Sequence, residues 1–157
     1  MTIETAIDLE KLRIIGKIVA KTIKVMSDSL EIGMTTKELD DIGRKFLESN
    51  GARSAPELVY NFPGATCISI NEEVAHGVPS LRIIKEGDLI NIDVSAELDG
   101  YFADSGASFM LPPYTKEKKD LLKATRQALS KSIEEVRAGV PVNKIGKTIE
   151  RHARKSG

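Results

Sequence analysis

A hairpin signal in the middle of the chain constrains its fold more than any other feature. Asp99-Gly100 is a dipeptide typical of tight turns, and it lies between two runs of β-type residues, Leu89–Ser95 and Tyr101–Met110. These runs predict two antiparallel strands joined by a short loop.

The length of that loop decides whether Asp93 and Asp104 share a face of the predicted sheet. A two-residue loop at Asp99-Gly100 places them diagonally on one face, and a four-residue loop over Glu97–Gly100 places them directly opposite each other. A three-residue loop would put them on opposite faces. The sequence leaves the loop length open, but two of the three registers bring the carboxylates together.

Two carboxylates on one half-buried face are unfavourable unless something compensates their charge. Like charges on one sheet face destabilise it, and a buried carboxylate without a partner is costly. Asp93 lies in the apolar run Leu89–Val94. A divalent cation between Asp93 and Asp104 would therefore be stabilising. The alternative is that one of the two is a solvated neighbour of the turn.

Helical periodicity flanks this strand-rich middle on both sides. In the first helix an apolar residue recurs every three or four positions from Leu12 to Leu30. A capping box at Thr35 and Glu38 starts the second. The predicted helices cover Asp8–Ser29, Thr35 to about Gly51, Lys116–Arg137 and Asn143–Lys155, and strands lie between Ser54 and Leu111. This order predicts a mixed α/β (α+β) fold with an antiparallel sheet and amphipathic helices.

The two helix pairs resemble each other in spacing. Gly33 and Gly51 are eighteen residues apart, as are Gly139 and Gly157, and each pair encloses one amphipathic helix. If this is a duplication, a second strand-and-hairpin unit is expected next. The chain is then the first half of a longer protein, plus the opening helices of its second half.

Composition narrows the function classes. The 157 residues include 23 Lys and Arg and 23 Asp and Glu, so no excess of charge points to nucleic acid. The apolar runs are too short for a transmembrane helix, and the N-terminus lacks a signal peptide pattern. A single cysteine, Cys67, cannot form an internal disulfide. A reducing cytosol is the expected compartment.

The second informative stretch begins at Cys67 and ends at Pro79. Cys67–Ile70 predicts a strand, Asn71-Glu-Glu73 predicts a turn, and His76-Gly-Val-Pro79 predicts a stiff loop. A histidine on such a loop could serve an active site as a hydrogen-bond donor or a proton-transfer group. The alternative is a loop histidine bonded to a nearby carbonyl.

Together these motifs resemble the type I methionine aminopeptidases. Three segments carry the resemblance in order: Cys67-Ile-Ser-Ile-Asn with His76-Gly-Val-Pro, Gly87-Asp-Leu-Ile-Asn-Ile-Asp93, and Gly100-Tyr-Phe-Ala-Asp104-Ser. Leu12-Arg-Ile-Ile-Gly16 and Gly33-Met-Thr-Thr-Lys-Glu-Leu-Asp40 also resemble that family, so the likeness extends over nearly the whole chain. Proline-directed peptidases share the paired-Asp hairpin but are not expected to carry the first segment in this form.

The resemblance implies a pita-bread fold and removal of N-terminal methionine from nascent chains. It implies two divalent metal ions (Co, Mn, Fe or Zn), with Asp93 and Asp104 among their ligands, and a substrate contact from His76. Cys67 and Phe62 are expected in the methionine pocket, where Val59 replaces a tyrosine of some members. The complete enzyme is expected to be a cytosolic monomer that binds neither membrane nor specific nucleic acid.

The other ligands of the family, one His and two Glu, are not found in this sequence. His152 lies on a charged helix and is expected to be solvated. The chain by itself is therefore expected to be incomplete and inactive. Two other functions stay open: a non-catalytic peptide-binding module on the same fold, and an Xaa-Pro metallopeptidase.

Overall fold

The computed structural model describes residues 2–157, which form two compact units. One unit extends to Pro113 and the other covers Tyr114–Gly157. The first contains α1 (Ala6–Asp28), α2 (Thr36–Ser49), β1 (Arg53–Ser54), α3 (Ala55–Tyr60), β2 (Cys67–Ile70), β3 (Leu89–Leu98) and β4 (Tyr101–Met110). The second contains α4 (Lys116–Ile133) and α5 (Asn143–Ser156).

The first two helices begin where their capping residues stand. The side chain of Thr35 accepts a hydrogen bond from the backbone N–H of Glu38, and Glu38 accepts one in return from the N–H of Thr35 at 2.7 Å. Thr5 and Asp8 form the same reciprocal arrangement at the start of α1. The predicted capping box at Thr35 is confirmed, and α1 begins two residues earlier than the predicted Asp8 because Thr5 caps it.

All four strands belong to one antiparallel sheet with β3 in its centre. Along one edge β3 pairs with β2 and, further on, with the short β1; along the other edge it pairs with β4 over its whole length. The predicted strand Cys67–Ile70 is confirmed. The antiparallel sheet with amphipathic helices also agrees with the sequence.

The two faces of β3 differ in chemistry because side chains alternate along a strand. Ile90, Ile92, Val94 and Ala96 are fully buried and pack in one core with the apolar stripe of α1. The opposite face presents Asn91, Asp93, Ser95 and Glu97. The core therefore lies between the sheet and the helices, and the polar residues of β3 all occupy the other face.

The second unit is a helical hairpin. Its buried residues are small, Ala128 and Ser132 on α4 and Thr148 on α5, whereas Leu129 and Ile133 stay exposed. The fourth helix ends at Ile133, four residues before the predicted end. The prediction that His152 is solvated is wrong for one ring atom: the residue is half-buried, and its Nε2 atom has no hydrogen-bond partner among residues 2–157. Its Nδ1 atom lies 3.1 Å from the amine of Lys131.

Across residues 2–157 the structure contains no helix with the length and apolar character that a membrane crossing would require.

Candidate active site

The hairpin turn has two residues, and this settles the register of the carboxylates. Leu98 pairs with Tyr101, and both turn residues have positive φ, 52° at Asp99 and 84° at Gly100. Positive φ at both positions is typical of the type I′ turn, whose twist matches that of the strands. The two-residue alternative is therefore confirmed, and the four-residue loop is wrong.

A side chain on β3 stabilises that turn. Glu97 is buried, and its carboxylate accepts hydrogen bonds from the N–H of Gly100 at 2.5 Å and from Nε of Arg53 at 2.7 Å. Both bonds lower the pKa of Glu97, and the bond from Arg53 has the larger effect. The carboxylate of Glu97 thus holds the turn in place and with it the register of β3 against β4. That register determines where Asp93 and Asp104 lie.

In this register Asp93 and Asp104 lie on one face of the sheet, diagonal to each other. Asp93 pairs with Gly106 and Ser95 pairs with Asp104. Burial raises the pKa of Asp93, the negative charge of Asp104 raises it further, and His76 opposes both effects. The site therefore favours positive charge next to Asp93, as the sequence predicts for a cation site.

Close packing of the adjacent glycine holds His76 beside β2. The N–H of Gly77 donates to Oγ of Ser69 at 3.1 Å, and its carbonyl accepts from the N–H of Ile68 at 2.9 Å. A Cβ atom at Gly77 would overlap the carbonyl of Ile68. His76 itself has φ of 57°, a left-handed conformation that is uncommon for a residue with a side chain. The glycine thus explains why a stiff backbone presents an imidazole here.

One cavity of about 530 Å³ brings all five predicted site residues together. Its lining includes Phe62, Cys67, His76, Asp93 and Asp104. Sequence reasoning missed the remaining lining residues, which are Ala55, Pro56, Tyr60 and Ser95. Tyr60 supplies an aromatic ring next to the position of Val59, and Ser95 could have been found from its parity with Asp93.

The short helix α3 forms one wall of this cavity and was not predicted. Ser54 caps it, with its hydroxyl accepting from the N–H of Glu57 at 3.3 Å, so the Ser-x-x-Glu spacing was the available signal. Arg44 of α2 binds the carboxylate of Glu57 through both guanidinium nitrogens at 2.9 and 2.5 Å. This bidentate contact ties the cavity wall to α2.

Comparison with known proteins decides the family. The profile of metallopeptidase family M24 matches residues 10–157. The chain belongs to this family. Its relatives include Methionine aminopeptidase 2 of Bacillus subtilis strain 168, with 46% identity over 151 residues, and a methionine aminopeptidase of Staphylococcus epidermidis, with 43% identity over 157 residues. The predicted resemblance is confirmed.

Solved structures of methionine aminopeptidases share the fold. A methionine aminopeptidase from Rickettsia prowazekii superposes with a TM-score of 0.93 at 36% identity, and one from Thermotoga maritima with 0.95 at 26% identity. They cover 99% and 100% of this chain, and the chain covers 62% and 64% of theirs. The pita-bread fold predicted from the sequence is confirmed.

The chain also spans only part of its curated relatives. The alignment with the Bacillus subtilis protein includes 96% of this chain and 61% of that protein. The alignment with the Staphylococcus epidermidis protein includes 99% of this chain and 62% of that protein. Within residues 2–157 no three His, Cys, Asp or Glu side chains are grouped to hold a metal ion. The Asp pair of this M24 chain nevertheless suits a divalent cation, because two hard oxygen donors face one cavity and the charge of Asp104 disfavours ionisation of Asp93.

The thiol of Cys67, which lines the cavity, is expected to be unreactive. Cys67 pairs directly with Asp93 across β2 and β3. Burial, and then the charges of Asp93 and Asp104, raise the pKa of Cys67 to about 11. A neutral, buried thiol behaves as a small apolar group, so Cys67 is suited to be part of an apolar wall and unsuited to act as a nucleophile.

Proposed function

We propose that this protein removes the N-terminal methionine from newly made proteins, and that this chain supplies one side of its active site. The observation that carries the proposal is the single cavity in which a diagonal Asp pair, a histidine and an apolar wall meet. Relatives named methionine aminopeptidase, among them one with 46% identity, support it. Both units would belong to one catalytic domain, acting as a monomer in the cytosol.

Asp93 and Asp104 would be ligands of two divalent ions. Mn, Fe, Co and Zn are all candidates, because each accepts oxygen donors. Such ions, when bound, lower the pKa of water and polarise a carbonyl. Asp93 lies deeper in the sheet than Asp104, which is exposed. The two residues would therefore differ in how much of the bound cation each shields from solvent.

Three other side chains would bind and orient the peptide. His76, fixed by Gly77, would donate a hydrogen bond to the peptide next to the scissile bond. Cys67 and Phe62 would contact the methionine side chain, because a polarisable thioether packs well against sulfur and an aromatic ring. Tyr60, on the same wall, is 79% exposed and would cover the peptide where it leaves the cavity.

Two carboxylates do not complete a metal site, so the 157-residue chain alone should not turn over substrate. A Met-Ala-Ser peptide with added Mn²⁺ or Co²⁺ tests this directly. Turnover at the rate of a complete relative would contradict the proposal that other ligands are needed.

A chimera tests the function itself. This chain would be joined to the part of the Bacillus subtilis relative that it does not cover. We expect the chimera to release methionine from Met-Ala-Ser, and Asp104→Asn to abolish release. A chimera that cleaves only Xaa-Pro peptides would favour a proline-directed enzyme, and one that binds the peptide without cleavage would favour a binding module.

A further inference from the structure

The neutral charge of the whole chain conceals two oppositely charged units. Residues 114–157 carry 12 Lys and Arg against 5 Asp and Glu, a net charge of +7. Residues 1–113 carry 11 against 18, a net charge of −7. The expectation that the chain has no nucleic acid partner is based on its total charge. That total does not describe residues 114–157, which have a basic excess.

The positive charge of the second unit is arranged in a stripe on α5. Lys144, Lys147, Arg151 and Arg154 follow one another at intervals of three, four and three residues, so they share one face of the helix. All four are exposed and line one surface groove of about 610 Å³. At 1.5 Å per residue the stripe is about 15 Å long.

Helix stability does not explain the stripe. Basic residues in a last turn, such as Arg154, favour the helix dipole, but Lys144 and Lys147 stand at the opposite end, where positive charge is unfavourable. The first turn of α5 contains no acidic residue, and Val142 provides no side-chain cap. Each of α1 to α4 has a side-chain cap and an acidic residue in its first turn.

Much of the charge is also left without an anion. Lys144 contacts Glu135 at 2.8 Å, and Arg154 contacts Glu150 at 2.8 Å. Lys147 and Arg151 form no ion pair at contact distance with any of residues 2–157. Arg151 donates to the hydroxyl of Thr148 at 3.3 Å, and its charge is the weakest of the causes that lower the pKa of Glu135. The centre of the stripe is therefore available to an external anion.

We propose that this basic stripe binds the phosphate backbone of a nucleic acid duplex without reading its bases. Regularly spaced Lys and Arg side chains suit a row of phosphates, and such contacts carry no sequence information. A membrane surface fits less well. The other side of α5 has no Trp, Phe or Leu to insert, and its Ile149 and Ala153 line a cavity shared with α4.

The test uses the 157-residue chain and fluorescence anisotropy, so it does not depend on peptidase activity. The probes are labelled DNA and RNA duplexes of one sequence, about 20 base pairs long, titrated between about 50 and 200 mM salt. We expect micromolar binding with little dependence on sequence and a logarithmic salt slope of about −4, one unit for each residue of the stripe.

The variant Lys147→Gln/Arg151→Gln should lose at least about tenfold in affinity and reduce the slope by about two units. The matched control is Lys17→Gln/Lys21→Gln, which removes two exposed lysines from α1 in the acidic unit and should leave affinity nearly unchanged. Urea unfolding of each variant confirms that the fold is retained.

Three results would overturn the proposal. These are no duplex binding by the wild-type chain at about 50 mM salt, an equal loss in the control and stripe variants, and a clear preference for one sequence. A fourth such result is tighter binding to phosphatidylserine vesicles than to either duplex, which would assign the stripe to a membrane instead.

Discussion

Asp40 of α2 accepts hydrogen bonds from the segment that leads into β2, two of them from Thr66. The N–H of Thr66 lies 2.8 Å from the carboxylate and its hydroxyl 2.9 Å, and the N–H of Ala65 adds a third bond at 3.3 Å. The next residue is Cys67, which pairs with Asp93. One fully buried carboxylate thus connects the helical layer to the edge of the candidate site.

We expect Asp40→Ala to destabilise the chain by about 3 kcal/mol or more, because three buried donors lose their acceptor. The neighbouring Asp41 pairs with Lys37 at 2.6 Å, and its side chain is 41% exposed. Asp41→Ala should therefore cost less than about 1 kcal/mol. Urea unfolding measures both, and similar losses would show that Asp40 has no special structural role.

Two glycines should respond to alanine in opposite directions. Gly77→Ala would push its new methyl group into the carbonyl of Ile68, so we expect a loss of about 2 kcal/mol or more and displacement of His76. Gly16 lies inside α1 with open space around a Cβ atom, and Gly16→Ala should stabilise by about 0.5–1 kcal/mol. Thermal unfolding provides the comparison, and stabilisation by both changes would contradict the close packing at Gly77.

Asp104→Asn should stabilise the metal-free chain at neutral pH. The pKa of Asp93 is raised in the folded state, so its protonation favours folding; this contribution is complete below the unfolded pKa and is lost as the pH rises through the folded value. Without the charge of Asp104 the pKa of Asp93 is raised less in the folded state, so less stability is lost as the pH rises. The advantage of the variant over wild type should therefore shrink as the pH falls through the titration range of Asp93.

The same pair of proteins tests the cation. Mn²⁺ should raise the midpoint of thermal unfolding for the wild-type chain and leave that of Asp104→Asn almost unchanged. An equal shift in both would place the ion elsewhere.

Cys67 should resist alkylation in the folded chain. With a pKa of about 11, only a very small fraction of its thiol is ionised at pH 8, and burial limits access. We expect iodoacetamide to modify it many times more slowly than in denaturant, as followed by mass spectrometry. Labelling at comparable rates in both conditions would mean that the wall beside Asp93 opens readily.

How far the sequence predicts the site depends on the range of the interactions involved. The hairpin and its carboxylates follow from local pattern, because Asp99-Gly100 has a strong intrinsic preference. The choice among the three loop lengths does not follow from local pattern. Glu97 holds the turn with help from Arg53, which is forty-four residues away in the chain. The helix α3 escaped prediction for a similar reason: it has only six residues, and its tether is Arg44 on another helix.

With a two-residue turn, the number of residues between Asp93 and Asp104 decides whether the two carboxylates share a face of the sheet. Inserting or deleting one residue between positions 93 and 104 would rotate Asp104 into the apolar core, although both carboxylates would survive in an alignment. Changes of two residues would preserve the face. Homologues should therefore show even-numbered gaps in this interval or none, and a homologue with an odd gap should be suspected of having abandoned the site.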